Sequence, residues 1–215
     1  PLAAVSDIRN LAVFEPCEGS IAFFDERTVA LLNAVSRCLL KDSRLRGNAA
    51  VTALAFWLRK ANIDQMAAAN RHMVERADCV VAPQGLVFHV CPSNVDTIPF
   101  YSLALALLTG NRNLVRISTK TRLDALGPVL EAFNQVIGDP AYSLFKYYVA
   151  FVQYGHENDI NNFCSAQADA RIIWGGDGAV ATFKQFPTKP RVKDFFFADR
   201  ISVSVFGGRS FLEAT

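Results

Sequence analysis

Four short stretches hold the residues able to do chemistry. Trp174-Gly175-Gly176-Asp177 lies between an apolar run and a helix-forming segment. Glycines at such a turn let a backbone approach a phosphate, and the N–H groups at a helix start attract it. Gly176, Gly178 and Ala181 also fit G-x-G-x-x-A. The turn follows the fourth strand of the series rather than the first, however, and no acidic residue closes the next predicted strand to hold a ribose. An ordinary strand-to-helix turn is the plain alternative. Asn94 follows Pro92 after a second apolar run, where an amide would either donate to a developing oxyanion or cap a helix. Arg116 points away from Val115, either to meet a phosphate or ribose or to serve as a surface charge near a strand end. His89 lies inside an apolar run and reads as a packed histidine rather than a base. Cys91 has no partnered base nearby and reads as a structural thiol. His72 and His156 have no ligand-like neighbours.

The elements that must position these residues are marked by pattern. Leu86 to Val90, between Gly85 and Pro92, is a short apolar run typical of a buried strand. Asn94 or Asp96 caps a predicted helix over Thr97 to Leu108, which Gly110 and Asn111 stop. A second buried run, Asn113 to Ile117, ends at Ser118 and Thr119. Strand, helix, strand from Gly85 to Lys120 is a parallel βαβ unit. Ligands of such units sit beyond the carboxyl ends of the strands, here Cys91-Pro92-Ser93-Asn94 and Arg116-Ile117-Ser118-Thr119. Downstream the pattern predicts a helix over Leu123 to Ile137 closed by Gly138, then a strand over Tyr148 to Tyr154. A short helix over Asn158 to Gln167, a strand over Arg171 to Trp174, a helix over Asp177 to Phe186 and a strand over Ile201 to Phe206 follow. Pro187 to Asp199 reads as a loop, with Phe195-Phe196-Phe197 as core or interface. Upstream, Ile21 to Phe24 reads as an edge strand and Asp25 opens a helix to Leu40. Ser43 or Asn48 opens another through Ala61, and Asn62 or Asp64 caps a third to about Arg76. The expected architecture is α/β. A mainly helical segment over 1–80 precedes an open, mainly parallel sheet with helices on both faces over 81–215.

Composition narrows the function classes. The 215 residues suffice for one large or two small domains, and 51% hydrophobic with 20% charged content fits a folded α/β chain. Lys+Arg 22 against Asp+Glu 20, with no basic block, argues against a nucleic-acid or lipid-headgroup surface. The five cysteines are scattered without zinc spacing and read as buried thiols in a reducing cytoplasm. No signal peptide is evident. No apolar run reaches the roughly 18 residues that span a bilayer, the longest being Ile98 to Leu108. The opening on Pro1 rather than Met is read as a trimmed amino end.

Taken together, VFHVCPSNVDTIPFYSLALALLTGNRNLVRIS, RIIWGGDGAV and RISVSVF resemble the aldehyde dehydrogenase superfamily. Within it they resemble the LuxC-like acyl-CoA reductases, which make fatty aldehydes for bacterial bioluminescence and related pathways. The pieces run from about Gly85 to Phe206 in the family's order. The resemblance implies an aldehyde dehydrogenase-like, Rossmann-like domain that binds NADP, with NAD as the alternative, without the usual fingerprint. It implies that Asn94 stabilises the thioester oxyanion and that Pro92 and Ser93 lie on the nicotinamide side. It places Arg116, Ser118 and Thr119 at the adenosine ribose; an arginine fork suits a 2′-phosphate, which favours NADPH. Gly175 and Gly176 match a Gly-Ser turn at the pyrophosphate, with glycine in place of serine, so only backbone contacts survive. The family's nucleophilic cysteine lies downstream of the RISVSVF segment, and none of the five cysteines occupies that position. The expectation is thus the cofactor-binding part of a longer, cytoplasmic reductase of acyl-CoA or acyl-protein thioesters, inactive alone. Homo-oligomers and acyl-transferring proteins are the expected partners, and no metal is expected. The alternatives are a non-catalytic nucleotide-binding or assembly module, or a dehydrogenase of acyl phosphates or free aldehydes.

Overall fold

The computed structural model describes residues 3, 5–17, 19–121 and 123–204, without the side chains of 5 and 123–125. Three helices lead: α1 (Glu26–Lys41), α2 (Ala49–Trp57) and α3 (Lys60–Val74). Asp25 caps α1 through its side chain, which accepts from Arg27 N–H at 2.9 Å, and Asn48 does the same for α2 from Val51 N–H at 3.1 Å. Ser43 belongs to a single 3-10 turn, Ser43–Leu45, rather than to α2. The break between α2 and α3 comes earlier than the pattern predicts. Asn33 of α1 accepts from Lys60 N–H at 3.0 Å, so a side chain of another helix satisfies the first turn of α3. Ile21 to Phe24 forms no strand; Phe24 turns at φ 52° and its N–H donates to the Leu108 carbonyl at 2.7 Å.

An alternating series follows: β1 (Leu86–Val90), α4 (Ile98–Leu108), β2 (Arg112–Ser118), α5 (Leu123–Gly138), β3 (Val149–Tyr154), α6 (Asn158–Gln167), β4 (Ala170–Trp174), α7 (Asp177–Lys184) and β5 (Lys193–Phe197). The five strands form one parallel sheet in the order β3-β2-β1-β4-β5. The chain moves outward from β1 to β3, then returns past β1 to lay down β4 and β5. The fifth strand corrects the sequence reading: it is Lys193–Phe197, inside the expected loop, while 201–204 carry no regular structure and 205–206 lie outside the described residues. The physical reason is Arg171 in β4, which is buried and forked onto Asp194 at 2.7 and 2.6 Å. A neighbouring strand that carries a carboxylate satisfies that cation.

Helices cover both faces because the strand residues alternate. Val115 and Ile117 of β2 face a core with α1, α4 and α5, in which Phe100, Phe133 and Phe151 meet at centroid distances of 5.5 to 6.0 Å. Leu86, Phe88 and Val90 of β1 face a second core with Ile160 and Cys164 of α6 and Val180 and Phe183 of α7. Gly110, at φ 80°, ends α4 in the left-handed region that a side chain resists. Cys91 and Cys164 are buried as expected, but Cys17 and Cys38 are only half-buried and Cys79 is exposed.

Candidate functional site

A cavity of about 810 Å³ lies across the carboxyl ends of β1, β2 and β4, where the strand order reverses. That reversal leaves a crevice, because the crossovers on its two sides leave in opposite directions. Pro92, Ser93 and Asn94 after β1, Arg116 and Ser118 of β2, and Gly175 and Gly176 after β4 all line it. Of the residues expected at the site, the exposed Thr119 is not part of the wall. Lys120, Asn158, Asn161, Thr182 and Asp199 join the wall without having been singled out, and His156, read as lacking ligand-like neighbours, lines it too. Lys120 had a readable signal, two residues beyond a strand end; the others depend on which loops meet.

Each wall has its own chemistry. Asn94 is exposed and makes no side-chain hydrogen bond to any described residue. The cap position of α4 is Thr97, again without a side-chain bond, so neither Asn94 nor Asp96 caps that helix. The amide is thereby left available to a ligand. Gly175 N–H donates to the Phe197 carbonyl at 3.2 Å, and Gly176 is the cap residue of α7 with no side chain to block its start. Trp174 and Phe197 stack at 3.8 Å and 7°, walling the cavity beside the glycine turn.

Arg116 is neither a surface charge nor an exposed phosphate fork. It is 7% exposed, with its guanidinium 4.9 Å from the centre of the Tyr154 ring. Its Nη2 donates to the carbonyls of Tyr154 and Gly155, while its Nε is buried with no partner among the described residues. Ser118 Oγ accepts from Lys120 N–H at 3.2 Å, folding the strand end back toward the cavity. On the α6 side, Tyr154 donates to Asn161 Oδ1 at 3.0 Å, and burial pushes the phenol well above its ordinary range.

Two titratable groups near the site are held in their neutral forms. Burial pushes the Cys91 thiol up to about 12, although Arg116 pulls the other way. A thiol so shifted is a poor nucleophile at neutral pH. Burial lowers the His89 ring to about 4, against a smaller opposing hydrogen bond to Asn113. His89 Nε2 and Nδ1 lie 2.9 Å from Asn113 Oδ1 and 2.8 Å from Ser102 Oγ. Asn113 Nδ2 itself donates to the carbonyls of Asn111 and Tyr148, so its Oδ1 is the acceptor and the ring carries its proton on Nε2. Both residues are structural, as their sequence context suggests.

A second concavity of about 510 Å³ lies beyond the Trp174–Phe197 pair, between α4 and the β4–β5 face. Tyr101, Leu105, Ile172 and Phe195 line it, and Phe195 is half exposed there rather than in the core.

The family model for acyl-CoA reductase (LuxC) matches residues 61–215. No curated protein matches the chain by sequence. The crystal structure of PnpE from Pseudomonas sp. WBC-3 superposes with a TM-score of 0.65 at 16% identity, over 91% of this chain and 43% of that one. Aldehyde dehydrogenase 21 from Physcomitrella patens, in complex with succinate, gives 0.59 at 15% identity, over 92% and 45%. The NADP-dependent glyceraldehyde-3-phosphate dehydrogenase from Bacillus halodurans C-125, complexed with NADP, gives 0.51 at 16% identity, over 87% and 41%. At these identities the likeness shows an aldehyde dehydrogenase-like fold alone. The chain spans less than half the length of each of these structures.

Proposed function

The chain belongs to the acyl-CoA reductase (LuxC) family, and from that membership we propose that it is the cofactor-binding portion of an NADPH-dependent reductase of acyl thioesters. Membership supports an oxidoreductase acting at the aldehyde level; the cofactor, the thioester and the residue roles are the proposal. The observation that supports it most is the single cavity joining the glycine turn, Arg116 and Asn94. In this reading the 81–215 segment holds the nucleotide and the 1–80 segment packs on it.

The residues present suit a dinucleotide. Gly175 lets the backbone approach a pyrophosphate while its own N–H is held by the Phe197 carbonyl, and Gly176 with the start of α7 offers backbone N–H groups to it. Arg116, with Ser118 and Lys120 beside it, offers the cationic side for a 2′-phosphate, and the unpaired Arg116 Nε is a donor in want of an acceptor. Pro92 and Ser93 border the nicotinamide side. Thr119 keeps its expected role only if its side chain turns toward the ribose. When bound, the nicotinamide supplies the hydride.

The remaining chemistry falls to a cysteine outside this chain, since Cys91 is the cysteine of the cavity wall and its thiol is held protonated. That outside thiolate adds to the thioester carbonyl, and the carbon–sulfur bond to CoA or to an acyl-carrying protein breaks. Asn94 Nδ2 donates to the oxygen as negative charge develops there, in each of the two tetrahedral steps. Once the acyl carbon is reduced, that cysteine would leave as thiolate and the aldehyde would depart. A nucleotide-binding module without chemistry is the alternative that the buried Cys91 favours. An aldehyde or acyl phosphate in place of the thioester leaves the roles of these residues unchanged.

Calorimetry of NADPH and NADH binding tests the reading, with Arg116→Ala and Arg116→Lys alongside. The chain is expected to bind NADPH more tightly than NADH and to show no turnover. Arg116→Ala is expected to cost NADPH roughly tenfold or more, the scale of one charge-assisted hydrogen bond. Arg116→Lys is expected to fall between. Equal, weak binding of both nucleotides to folded wild-type chain would sink the cofactor assignment. Reduction of acyl-CoA by this chain alone would sink the placement of the nucleophile.

A further inference from the structure

The start of α7 already holds a carboxylate. Asp199, two residues beyond β5, accepts from Asp177 N–H at 3.2 Å. Gly176 gives the helix no side-chain cap. A Cβ at Gly176 would stand 2.9 Å from Asp199 Oδ2, so glycine here also makes room for that carboxylate. The cap therefore comes from 22 residues downstream of the helix's first residue. Its oxygen occupies the place where helix N–H groups would receive a phosphate oxygen.

A second observation is independent of the helix. Arg116, 7% exposed, lines the same cavity with its Nε buried and unpartnered among the described residues. A buried donor without a partner calls for an acceptor, and an anion is the best one. The cavity thus has two anion-seeking groups. One is filled by a carboxylate of the chain; the other has its Nη2 on two backbone carbonyls and keeps Nε without a partner among the described residues.

We propose that Asp199 is a specificity-determining residue: its carboxylate is the resident occupant of the phosphate subsite at the α7 start, and an entering pyrophosphate must displace it. The proposal rests on the nucleotide reading above and names what sets the affinity of that site. A carboxylate and a phosphate cannot share the same N–H groups, because their like charges repel. Free phosphates, with few other contacts, compete poorly against a tethered carboxylate. A dinucleotide that also engages Arg116 and the glycine turn competes well. A rival role exists for an acidic residue some 20 residues beyond a glycine turn, acceptance of a ribose hydroxyl. It predicts the opposite sign.

The test measures Kd for inorganic pyrophosphate and for NADPH on the full chain, in wild type, Asp199→Asn and Asp199→Ala. Asp64→Asn, an exposed acid on α3, is the control for net charge. Asn keeps the hydrogen bond to Asp177 N–H and drops the charge, so it guards against mere loss of the cap; thermal melts confirm folding. The expected result is at least fivefold tighter pyrophosphate and NADPH binding in both Asp199 variants, with Asp64→Asn unchanged. The Asp177 amide resonance should move on adding pyrophosphate to Asp199→Asn at concentrations that leave wild type unmoved. Unchanged affinity in both variants overturns the proposal while wild-type NADPH binding keeps the cofactor reading. NADPH binding that weakens while pyrophosphate binding is unaltered makes Asp199 a ribose contact and also overturns it. Pyrophosphate binding gained without any NADPH binding supports the proposal and sinks the cofactor reading, and binding by no variant sinks both.

Discussion

His89 shows how much one buried residue says about stability. Burial lowers its pKa to about 4 from 6.5, so the unfolded chain takes up the proton first as pH falls. The stability that depends on the neutral ring is intact above about pH 6.5 and is lost progressively between pH 6.5 and about 4. The size is about 3 kcal/mol across that window. Urea unfolding at pH 7, 5.5 and 4.5 should show this slope, and His89→Gln should flatten it. An unaltered slope in the variant would assign the acid sensitivity to other groups. Cys91 makes a parallel case: with its thiol raised to about 12, it should resist iodoacetamide at pH 8 in the folded chain, while exposed Cys79 reacts. Mass mapping of the alkylated sites reads this directly, and early labelling of Cys91 would contradict its burial. Both roles were legible in the sequence: His89 sits inside an apolar strand run, and Cys91, just past its end, has no partnered base nearby. The position of Arg116 was not. Alternation gives the face of a strand, but only packing shows that Tyr154 and the Gly155 carbonyl cover that face.

At the scale of elements, the pair β4–β5 depends on one ion pair. Arg171 is 2% exposed in its side chain, and it also donates to the Phe183 carbonyl at 3.0 Å, tying α7 to the sheet. Removing Asp194 leaves an uncompensated buried cation, so Asp194→Ala should cost roughly 3–5 kcal/mol of unfolding free energy. Lys193→Ala, on the exposed neighbour, should stay within about 0.5 kcal/mol. Denaturant midpoints compare the two, and equal effects would mean that β5 is held by its backbone ladder alone. The same contact explains the misread strand. Lys193-Asp194 at the head of an aromatic triplet looks like a loop, because sequence pattern counts a charge as exposed. Its partner, 23 residues upstream, is visible only once β4 and β5 are side by side. The helices, by contrast, were legible to within a few residues, since amphipathic spacing and the caps Asp25 and Asn48 are local signals. Where helix bounds slipped, as between α2 and α3, the decisive bond came from Asn33 on another helix.

At the scale of the whole molecule, the leading helices and the sheet share one apolar core. Leu31, Leu32 and Val35 of α1 pack in the same cluster as Leu107 of α4 and Phe133 of α5. A chain beginning at residue 81 would leave that face of α4 and α5 open to water. It should bind a hydrophobic dye or precipitate, and a monomeric, cooperatively melting 81–215 would show the helical segment to be dispensable. No helix among the described residues is long and apolar enough to cross a membrane. The sequence by itself determined the alternation of strands and helices, the parallel hand of the sheet and the strand-end positions that carry polar groups. Those follow from periodicity, from short connections and from the right-handed crossover. The tertiary structure decided which strand ends meet. Nothing local dictates that β4 returns to pair with β1, with Val90 opposite Ile173. That pairing sets Gly175 and Gly176 beside Pro92 and Asn94, and β5 then carries Asp199 to the start of α7. Strand order is fixed by the burial of both sheet faces together, a sum over the whole chain that no window of sequence contains.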